Sequence, residues 1–304
     1  MASDRLPLLG ISTLVDYSQP LDSLLAKIRD AGFDAVAIGH KVSHFPYHDK
    51  KRVTQVAELT AKLGLFVDYI HTPIDIFLDL STPNDYAREG TILIYKFAID
   101  AIHQLRGRAV TSHLCNVQTM SPEEIEARLP YAHESIRELM DYAGERGIRF
   151  CLENLPHPYS YQRLLERVLE TAPEPICLCL DSCHVNIHNP DPFAFIEKYA
   201  AQIGTTHLSD NFGGRDVHLM PFTGTFDFAR LARILARVGY AGNVMLENSL
   251  EAAVKRFARK QNVPREPEPT ALDEYLRDSF EAASRIRDAL IAASSREQPT
   301  AAAG

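Results

Sequence analysis

The chain has 304 residues, 45% of them apolar and 24% charged, which is typical of a globular protein with one large α/β domain or two smaller ones. Its formal net charge of -8 repels nucleic acids and anionic membranes unless a local basic patch overcomes it. No run reaches the roughly 18 apolar residues of a membrane span, and Met1–Pro7 lacks the apolar core of a secretory signal. We therefore expect a cytoplasmic protein that binds no membrane, and the charge argues against nucleic acid.

Short apolar runs alternate with amphipathic stretches along the chain, and each kind occurs eight times. The apolar runs predict eight β-strands: Leu8–Thr13, Asp34–His40, Phe66–His71, Ala109–Cys115, Arg149–Asn154, Ile176–Asp181, Ile203–Ser209 and Asn243–Asn248. The amphipathic stretches predict the helices that follow them: Pro20–Ala31, Asp49–Leu63, Asn84–Leu105, a long helix from Ser121, Ser160–Thr171, Asp191–Gln202, Asp227–Val238 and Ala271–Ala293.

Eight consecutive βα units are typical of a (β/α)8 TIM barrel, an α/β fold. We predict a single barrel domain over residues 1–293 and a disordered tail of small and polar residues over 294–304. An open, doubly wound sheet is the alternative, because repeats counted from one sequence can be missed or invented. No Gly-x-Gly-x-x-Gly motif follows the first strand, which argues against a dinucleotide-binding sheet.

Ionisable residues stand at the carboxyl ends of six predicted strands: His71, His113, Glu153, Asp181, His207 and Glu247. Alternation supports this placement, because Leu178 and Leu180 would face the helices while Asp181 faces the barrel axis. Carboxylates that converge at the barrel mouth need a cation, since they would otherwise repel one another. Three carboxylates and one imidazole suit Mn2+, Mg2+, Co2+ or Zn2+. The alternative is that each carboxylate is paired separately with an arginine or lysine.

The stretch Thr205–Phe226 holds two histidines, two aspartates and an arginine directly after an apolar strand. Alternation along the strand turns His207 away from the face of Thr206. A buried imidazole at this position needs a hydrogen bond or a metal ion. Asp216 and His218 follow within a few residues and raise the second option.

Several strings resemble the sugar phosphate isomerase/epimerase branch of the xylose isomerase-like barrels: CLEN (Cys151–Asn154), LDSCH (Leu180–His184), HLSDN (His207–Asn211), DVHLMPFTG (Asp216–Gly224) and LEN (Leu246–Asn248). The resemblance covers most of Leu8–Leu250. It implies one divalent metal ion with four ligands: Glu153, Asp181, His207 and Glu247. It also implies that His184 contacts the substrate. His71, His113 and Arg215 are further candidates for substrate binding, although Arg215 could equally be a solvent-facing loop cation.

These residues predict a sugar isomerase or epimerase that uses one divalent metal ion, with Mn2+ favoured. A metal ion that binds adjacent substrate oxygens stabilises an enediolate, and a carboxylate can remove the proton from the neighbouring carbon. Glu153 and Glu247 are the predicted catalytic pair, one removing a proton and the other returning it. Return to the opposite face gives an epimer, and return to the adjacent carbon gives aldose–ketose isomerisation.

Three alternatives remain open at this stage. AP endonucleases of the trinuclear zinc type belong to the same superfamily, and their additional ligands have candidates in His71, His113, His184, Asp216 and His218. A lyase or dehydratase acting on a cyclic polyol or a sugar linkage would begin with the same proton abstraction. A barrel that binds a small ligand without turnover is the third. The expected partner is a small-molecule sugar or polyol, and homo-oligomerisation is left open.

Overall fold

The computed structural model describes residues 6–117, 119–156, 159–251, 253 and 269–297. Its eight strands are β1 Leu9–Ser12, β2 Ala35–Ile38, β3 Phe66–His71, β4 Ala109–Ser112, β5 Arg149–Glu153, β6 Cys177–Asp181, β7 Ile203–His207 and β8 Val244–Leu246. The helices are α1 Leu21–Asp30, α2 Lys50–Leu63, α3 Asp85–Gln104, α4 Pro122–Gly144, α5 Ser160–Thr171, α6 Ser182–Asn186, α7 Pro192–Tyr199, α8 Phe228–Arg237 and α9 Pro269–Glu297.

The strands form one parallel sheet in the order β7-β6-β5-β4-β3-β2-β1-β8. Its two ends meet just beyond β7, where Leu208 and Leu246 form a parallel bridge. There the Leu208 N–H donates to the Met245 carbonyl at 2.9 Å, and the Glu247 N–H donates to the Leu208 carbonyl at 3.0 Å. The predicted (β/α)8 barrel is therefore confirmed, and the open sheet is excluded.

Local capping signals set the starts of several helices. Ser121 caps α4 and forms a capping box with Glu124, as its sequence predicts. The side chain of Asp49 accepts hydrogen bonds at the start of α2, and Gly64 ends that helix with a left-handed φ of 66°. These caps fix where each helix ends and the next loop begins.

Alternation along the strands separates two apolar layers. The larger layer lies between the strands and the helices and contains the buried leucines, isoleucines and valines. The smaller layer consists of Ala35, Ala37, Tyr69, Ala109, Cys151, Cys179 and Met245. Cys151 and Cys179 precede Glu153 and Asp181 by two residues, so these two carboxylates continue the same face, as the sequence predicted.

A β-bulge interrupts the alternation in β3. Val36 of β2 pairs with Val67, whereas the next residue, Ala37, pairs with Tyr69. Asp68 is therefore the extra residue, and a bulge re-aims the side chain that it carries.

The carboxylate of Asp68 links β3 by hydrogen bonds to three other parts of the barrel, at the amino-terminal end of the barrel. It accepts hydrogen bonds from Arg108 Nη2 at 2.9 Å, Thr205 Oγ1 at 3.3 Å and Asn243 Nδ2 at 2.7 Å. The group is fully buried. It closes the end of the barrel opposite to the carboxyl ends of the strands, which are left free for a site.

The predicted boundaries differ from the structure in a few places. Strand β4 ends at Ser112 instead of Cys115, and α6 was not predicted. The final helix runs to Glu297, into the start of the predicted tail, while 298–304 lie outside the described residues. The division into residues 1–293 and 294–304 stays a prediction. Among the described helices, none has the length and apolar character of a membrane span.

Candidate metal centre and active site

The carboxyl ends of the strands open into a cavity of about 700 Å³. Six of the predicted site residues line it: His71, His113, Glu153, His184, Arg215 and Glu247. Asp181 and His207 are fully buried and belong to the same cluster of side chains as Glu153 and Glu247. The cavity therefore joins the predicted catalytic residues to solvent.

The four predicted metal ligands meet at the end of this cavity. Glu153, Asp181, His207 and Glu247 each offer one ligand atom, and these atoms all lie within 4.8 Å of one another. His207 Nδ1 is 3.0 Å from Glu153 Oε1 and 3.0 Å from Glu247 Oε2. All four side chains are buried. No arginine or lysine pairs with any of the three carboxylates among the described residues, which argues against the alternative of separate basic partners.

The carboxylate of Asp181 provides a test of whether a cation fits here. Its Oδ1 accepts the backbone N–H of His184 at 2.7 Å, but its buried Oδ2 has no hydrogen-bond partner among the described residues. Burial raises the pKa of Asp181 to about 6. An unpaired carboxylate oxygen beside two further carboxylates is costly unless a positive charge compensates it. The four residues therefore fit a divalent cation.

The charges of the cluster shift the pKa values of His207 and Glu153 in opposite directions. Burial lowers the pKa of His207, but Cys179, Glu153 and Glu247 outweigh burial and hold that pKa well above its usual range. Burial in turn raises the pKa of Glu153, yet the surrounding histidines, His207 first, hold it well below its usual value. A metal ion would have to displace the proton on His207 Nδ1, because the lone pair is the ligand.

His71 and His113 both point one ring nitrogen at the second oxygen of Glu153. His71 Nδ1 donates to the Thr72 carbonyl at 2.6 Å, and His113 Nδ1 donates to Asn116 Oδ1 at 2.7 Å. The Nε2 atoms lie 2.9 Å and 3.4 Å from Glu153 Oε2. With hydrogen on Nδ1, a neutral imidazole would turn its Nε2 lone pair towards a carboxylate. Each contact therefore needs a proton or a cation between the two atoms.

A second carboxylate is also faced by two imidazoles: Asp216 lies between His184 and His218. His184 Nδ1 donates to the Asn154 carbonyl at 2.9 Å, and His218 Nδ1 donates to the Glu247 carbonyl at 3.0 Å. Their Nε2 atoms lie 3.2 Å and 3.0 Å from the two oxygens of Asp216. Burial raises the pKa of Asp216, but His218 and His184 outweigh it and hold the pKa well below its usual range. A backbone carbonyl that fixes one ring nitrogen is the usual support of a metal-binding histidine.

Arg215 lies exposed at the cavity wall. No ion pair or hydrogen bond of its guanidinium is found within the described part of the chain. The side chain can therefore reach a ligand in the cavity, and its role in substrate binding stays a prediction.

Two residues of the site were missed from the sequence. Asn154 bridges β5 and β6, because its Nδ2 donates to the Asp181 carbonyl at 3.0 Å and its Oδ1 accepts the Asp181 N–H at 2.8 Å. His40 lines the cavity, with its ring centroid 5.8 Å from that of His71. Burial, assisted by His71, lowers the pKa of His40 to about 4, so its imidazole is neutral. His40 ended predicted strand two, so the rule that selected the other strand-end residues could have found it.

The fold and the cluster define a (β/α)8 barrel with a candidate metal centre at the carboxyl ends of its strands. The sequence profile of a family described as xylose isomerase-like TIM barrel matches residues 25–288. The chain belongs to this family.

Relatives with assigned activities are sugar epimerases. The chain is 26% identical over 253 residues to an L-ribulose 3-epimerase from Mesorhizobium japonicum, covering 79% of this chain and 80% of that protein. It is 22% identical over 231 residues to a D-psicose 3-epimerase from Ruminiclostridium cellulolyticum, covering 73% and 76%. A solved structure of L-ribulose 3-epimerase superposes with a TM-score of 0.73 at 23% identity, covering 98% of this chain and 99% of that chain. At that identity the superposition shows a shared fold.

Proposed function

We propose that this chain is a divalent-metal-dependent sugar epimerase or isomerase that moves a proton on the carbon next to a carbonyl group. The observation that carries the proposal is the meeting of Glu153, Asp181, His207 and Glu247, whose ligand atoms lie within 4.8 Å of one another. The activities named for its relatives, on L-ribulose and D-psicose, support a ketose as the substrate.

Glu153, Asp181, His207 and Glu247 would hold the metal ion. Three oxygen donors and one nitrogen favour Mn2+, with Mg2+, Co2+ and Zn2+ as alternatives. When bound, a dication supplies positive charge for the substrate oxygens and for the negative charge that develops as a proton leaves the carbon.

Glu153 and Glu247 are the proposed proton carriers. Each has an oxygen 3.0 Å from His207 Nδ1, and they come from different strand ends, Glu153 from β5 and Glu247 from the residue after β8, which supports approach to a substrate from different directions. One carboxylate takes the proton from the C–H bond, and the other, as the acid, returns a proton to the opposite face of the same carbon. Return to the adjacent carbon would instead exchange aldose and ketose. His71, His113, His184 and Arg215 are proposed to bind the substrate hydroxyls.

The proposal is tested by incubating the Mn2+-loaded protein with L-ribulose, D-psicose and D-fructose in D2O. NMR should show one deuterium at a carbon next to the carbonyl, together with the epimer or the isomer. Mass spectrometry separates the dehydratase alternative, because dehydration removes one water from the product whereas epimerisation does not. Absence of deuterium from every ketose would contradict proton transfer.

A second candidate is a trinuclear zinc phosphodiesterase of the AP endonuclease type. The observation in its favour is that two further groups of imidazoles face carboxylates: His71 and His113 on Glu153, and His184 and His218 on Asp216. Against it stands the net charge of -8, because duplex DNA is bound mainly through its phosphates.

Metal counting and a DNA cleavage assay separate the two candidates. Elemental analysis after Zn2+ loading should give one tightly bound ion per chain for the epimerase and three for the phosphodiesterase. The double variant H184Q/H218Q should leave the count unchanged in the first case and lower it in the second. Cleavage of an abasic duplex by the Zn2+-loaded protein would favour the phosphodiesterase.

A further inference from the structure

The cavity has two chemically different parts. Its inner end is the cluster of carboxylates and imidazoles. Its other part has a wall of apolar side chains, which we call the apolar collar: Leu14, Ile74, Ile76, Val117, Leu155 and Ile187. A pocket of this composition combines orientation by a few polar groups with an apolar binding surface.

The apolar collar is contributed by five separate connections. Its residues follow β1, β3, β4, β5 and β6, so five of the eight strands contribute to it. Ile74 and Ile76 are 41% and 70% exposed. Apolar surface in water is unfavourable by about 25 cal/mol per Å², and the hydroxyl groups of a free sugar would cover this wall poorly.

The charge of the lining argues against a phosphorylated sugar. Among the lining residues that the structure describes, Arg215 is the one with a permanent positive charge, and its neighbour Asp216 is an anion, because His218 and His184 hold its pKa well below the usual range. The cluster adds three further carboxylates, those of Glu153, Asp181 and Glu247, which a single divalent ion would not fully balance. Recognition of a phosphate group normally uses several cationic or N–H donors together.

The size of the cavity points beyond a free monosaccharide. A volume of about 700 Å³ lies in the upper half of the roughly 300–1,000 Å³ range of pockets that take drug-sized ligands. A hexose is smaller than such ligands. A hexose held at the carboxylate cluster would leave the apolar collar in contact with water.

We infer that the substrate is an unphosphorylated keto sugar that carries an apolar substituent, and that the apolar collar binds the substituent. The inference rests on the proposed function, since the carboxylate cluster must hold the sugar for its substituent to lie against Ile74 and Ile76. The substrate class of the site is therefore a sugar conjugate with an alkyl or aryl group.

The experiment compares three ketoses with the Mn2+-loaded protein in D2O: D-fructose, 1-anilino-1-deoxy-D-fructose and D-fructose 6-phosphate. We expect the kcat/KM for deuterium incorporation to be at least about tenfold higher for the anilino ketose than for D-fructose, because its ring is removed from water. The phosphate ester should be the poorest of the three.

The variant I74S/I76S should reduce the preference for the anilino ketose over D-fructose, measured as the ratio of the two kcat/KM values, to about one. The matched control is L93S, because Leu93 is 55% exposed on α3 and does not line the cavity. An equal loss in L93S would overturn the inference.

Binding is measured separately from turnover by saturation-transfer NMR on the aryl protons of the anilino ketose. Saturation transfer that is present in the parent and lost in I74S/I76S would support binding by the apolar collar. This holds even if no deuterium enters any ketose, because the absence of deuterium would contradict only the proposed function. The inference is overturned if D-fructose or its phosphate is the preferred substrate. It is also overturned if I74S/I76S abolishes a dimer in sedimentation without changing substrate preference, because a second copy would then cover the collar.

Discussion

Glu153 is the residue on which the interactions of the site converge. Its Oε1 lies 3.3 Å from His184 Nδ1 and 3.0 Å from His207 Nδ1, and its Oε2 faces His71 and His113. Its backbone carbonyl accepts the Tyr161 hydroxyl at 2.8 Å. A single carboxylate at the end of β5 therefore contacts four imidazoles of the site, those of His71, His113, His184 and His207.

Replacement of either proposed catalytic carboxylate by its amide should abolish most of the activity. For E153Q and E247Q we expect kcat for deuterium incorporation to fall by about 10²–10⁴, the usual contribution of a positioned acid or base. The matched control is E126Q, which changes a surface glutamate paired with Arg167 and should leave kcat within twofold. Solvent-deuterium NMR measures all three variants, and retention of more than a tenth of the parent kcat in both E153Q and E247Q would argue against their assignment.

Metal affinity should decrease as the pH falls through the raised pKa of Asp181. Burial raises that pKa to about 6, so below pH 6 a proton occupies the carboxylate and competes with the metal ion. For this one group we expect the Kd for Mn2+ to rise about tenfold for each pH unit below 6, with protons released on binding. The high pKa of His207 adds to the effect in the same direction.

Titration calorimetry in two buffers of different ionisation enthalpy measures both the affinity and the number of protons released. The variant D181N should bind Mn2+ more weakly and with fewer protons released than the parent. A Kd that stays constant between about pH 5 and pH 7 would show that Asp181 is not a ligand.

At the residue scale, the sequence could predict the positions of residues that stand at the ends of strands. The carboxyl ends of parallel barrel strands meet at one mouth, so the ligand atoms of Glu153, Asp181, His207 and Glu247 could be expected to converge. The tautomers of His71 and His113 could not be predicted, because they depend on a backbone carbonyl and on Asn116 in the folded chain.

At the scale of elements, a periodic hydrophobic pattern could not predict the β-bulge at Asp68. Simple alternation along β3 would place Asp68 on the same face as Ile70, which belongs to the larger apolar layer between strands and helices. The register shift opposite Ala37 instead frees Asp68 to reach Arg108 and Asn243. The short helix α6 was missed for a related reason, since five residues are too few to show a helical period.

Removal of the charge of Asp68 should destabilise the barrel without affecting the site. D68N leaves the half-buried guanidinium of Arg108 without its anion, and we expect the free energy of unfolding to fall by about 3 kcal/mol. Metal affinity should stay unchanged, because Asp68 lies at the opposite end of the barrel from Glu153. Urea denaturation followed by circular dichroism measures the loss.

The control for D68N is D273N, which removes a partly exposed ion pair with Lys27. Pairs of this kind contribute about 0–1 kcal/mol. If D68N and D273N had the same effect on the free energy of unfolding, the hydrogen bonds of Asp68 would not be a main support of the barrel.

At the scale of the whole molecule, composition and charge predicted the broad class of the protein. Eight βα repeats could be counted from the sequence because every strand is buried after its first residue, and the sheet order agrees with that count. The cytoplasmic location and homo-oligomerisation stay predictions. The net charge of -8 includes the three buried carboxylates of the candidate metal centre, so part of it is concentrated inside the fold.

The negative charge buried inside the fold predicts that a divalent metal ion stabilises the folded protein. Glu153, Asp181 and Glu247 lie around His207 in the interior, and a dication binds this arrangement in the folded chain but not in the unfolded one. At a free Mn2+ concentration of about 100 times the Kd, the free energy of unfolding should rise by about 2.7 kcal/mol.

For a chain of this size, that gain corresponds to an increase in Tm of roughly 5 °C or more. Differential scanning calorimetry with Mn2+ and with excess EDTA measures the change, and NaCl at matched ionic strength controls for screening of the surface charges. D181N should show a smaller increase, because the cluster loses a ligand while the surface stays the same. Equal Tm values in Mn2+ and EDTA would mean that the buried carboxylates are balanced by imidazolium protons alone, and the metal centre would have to be abandoned.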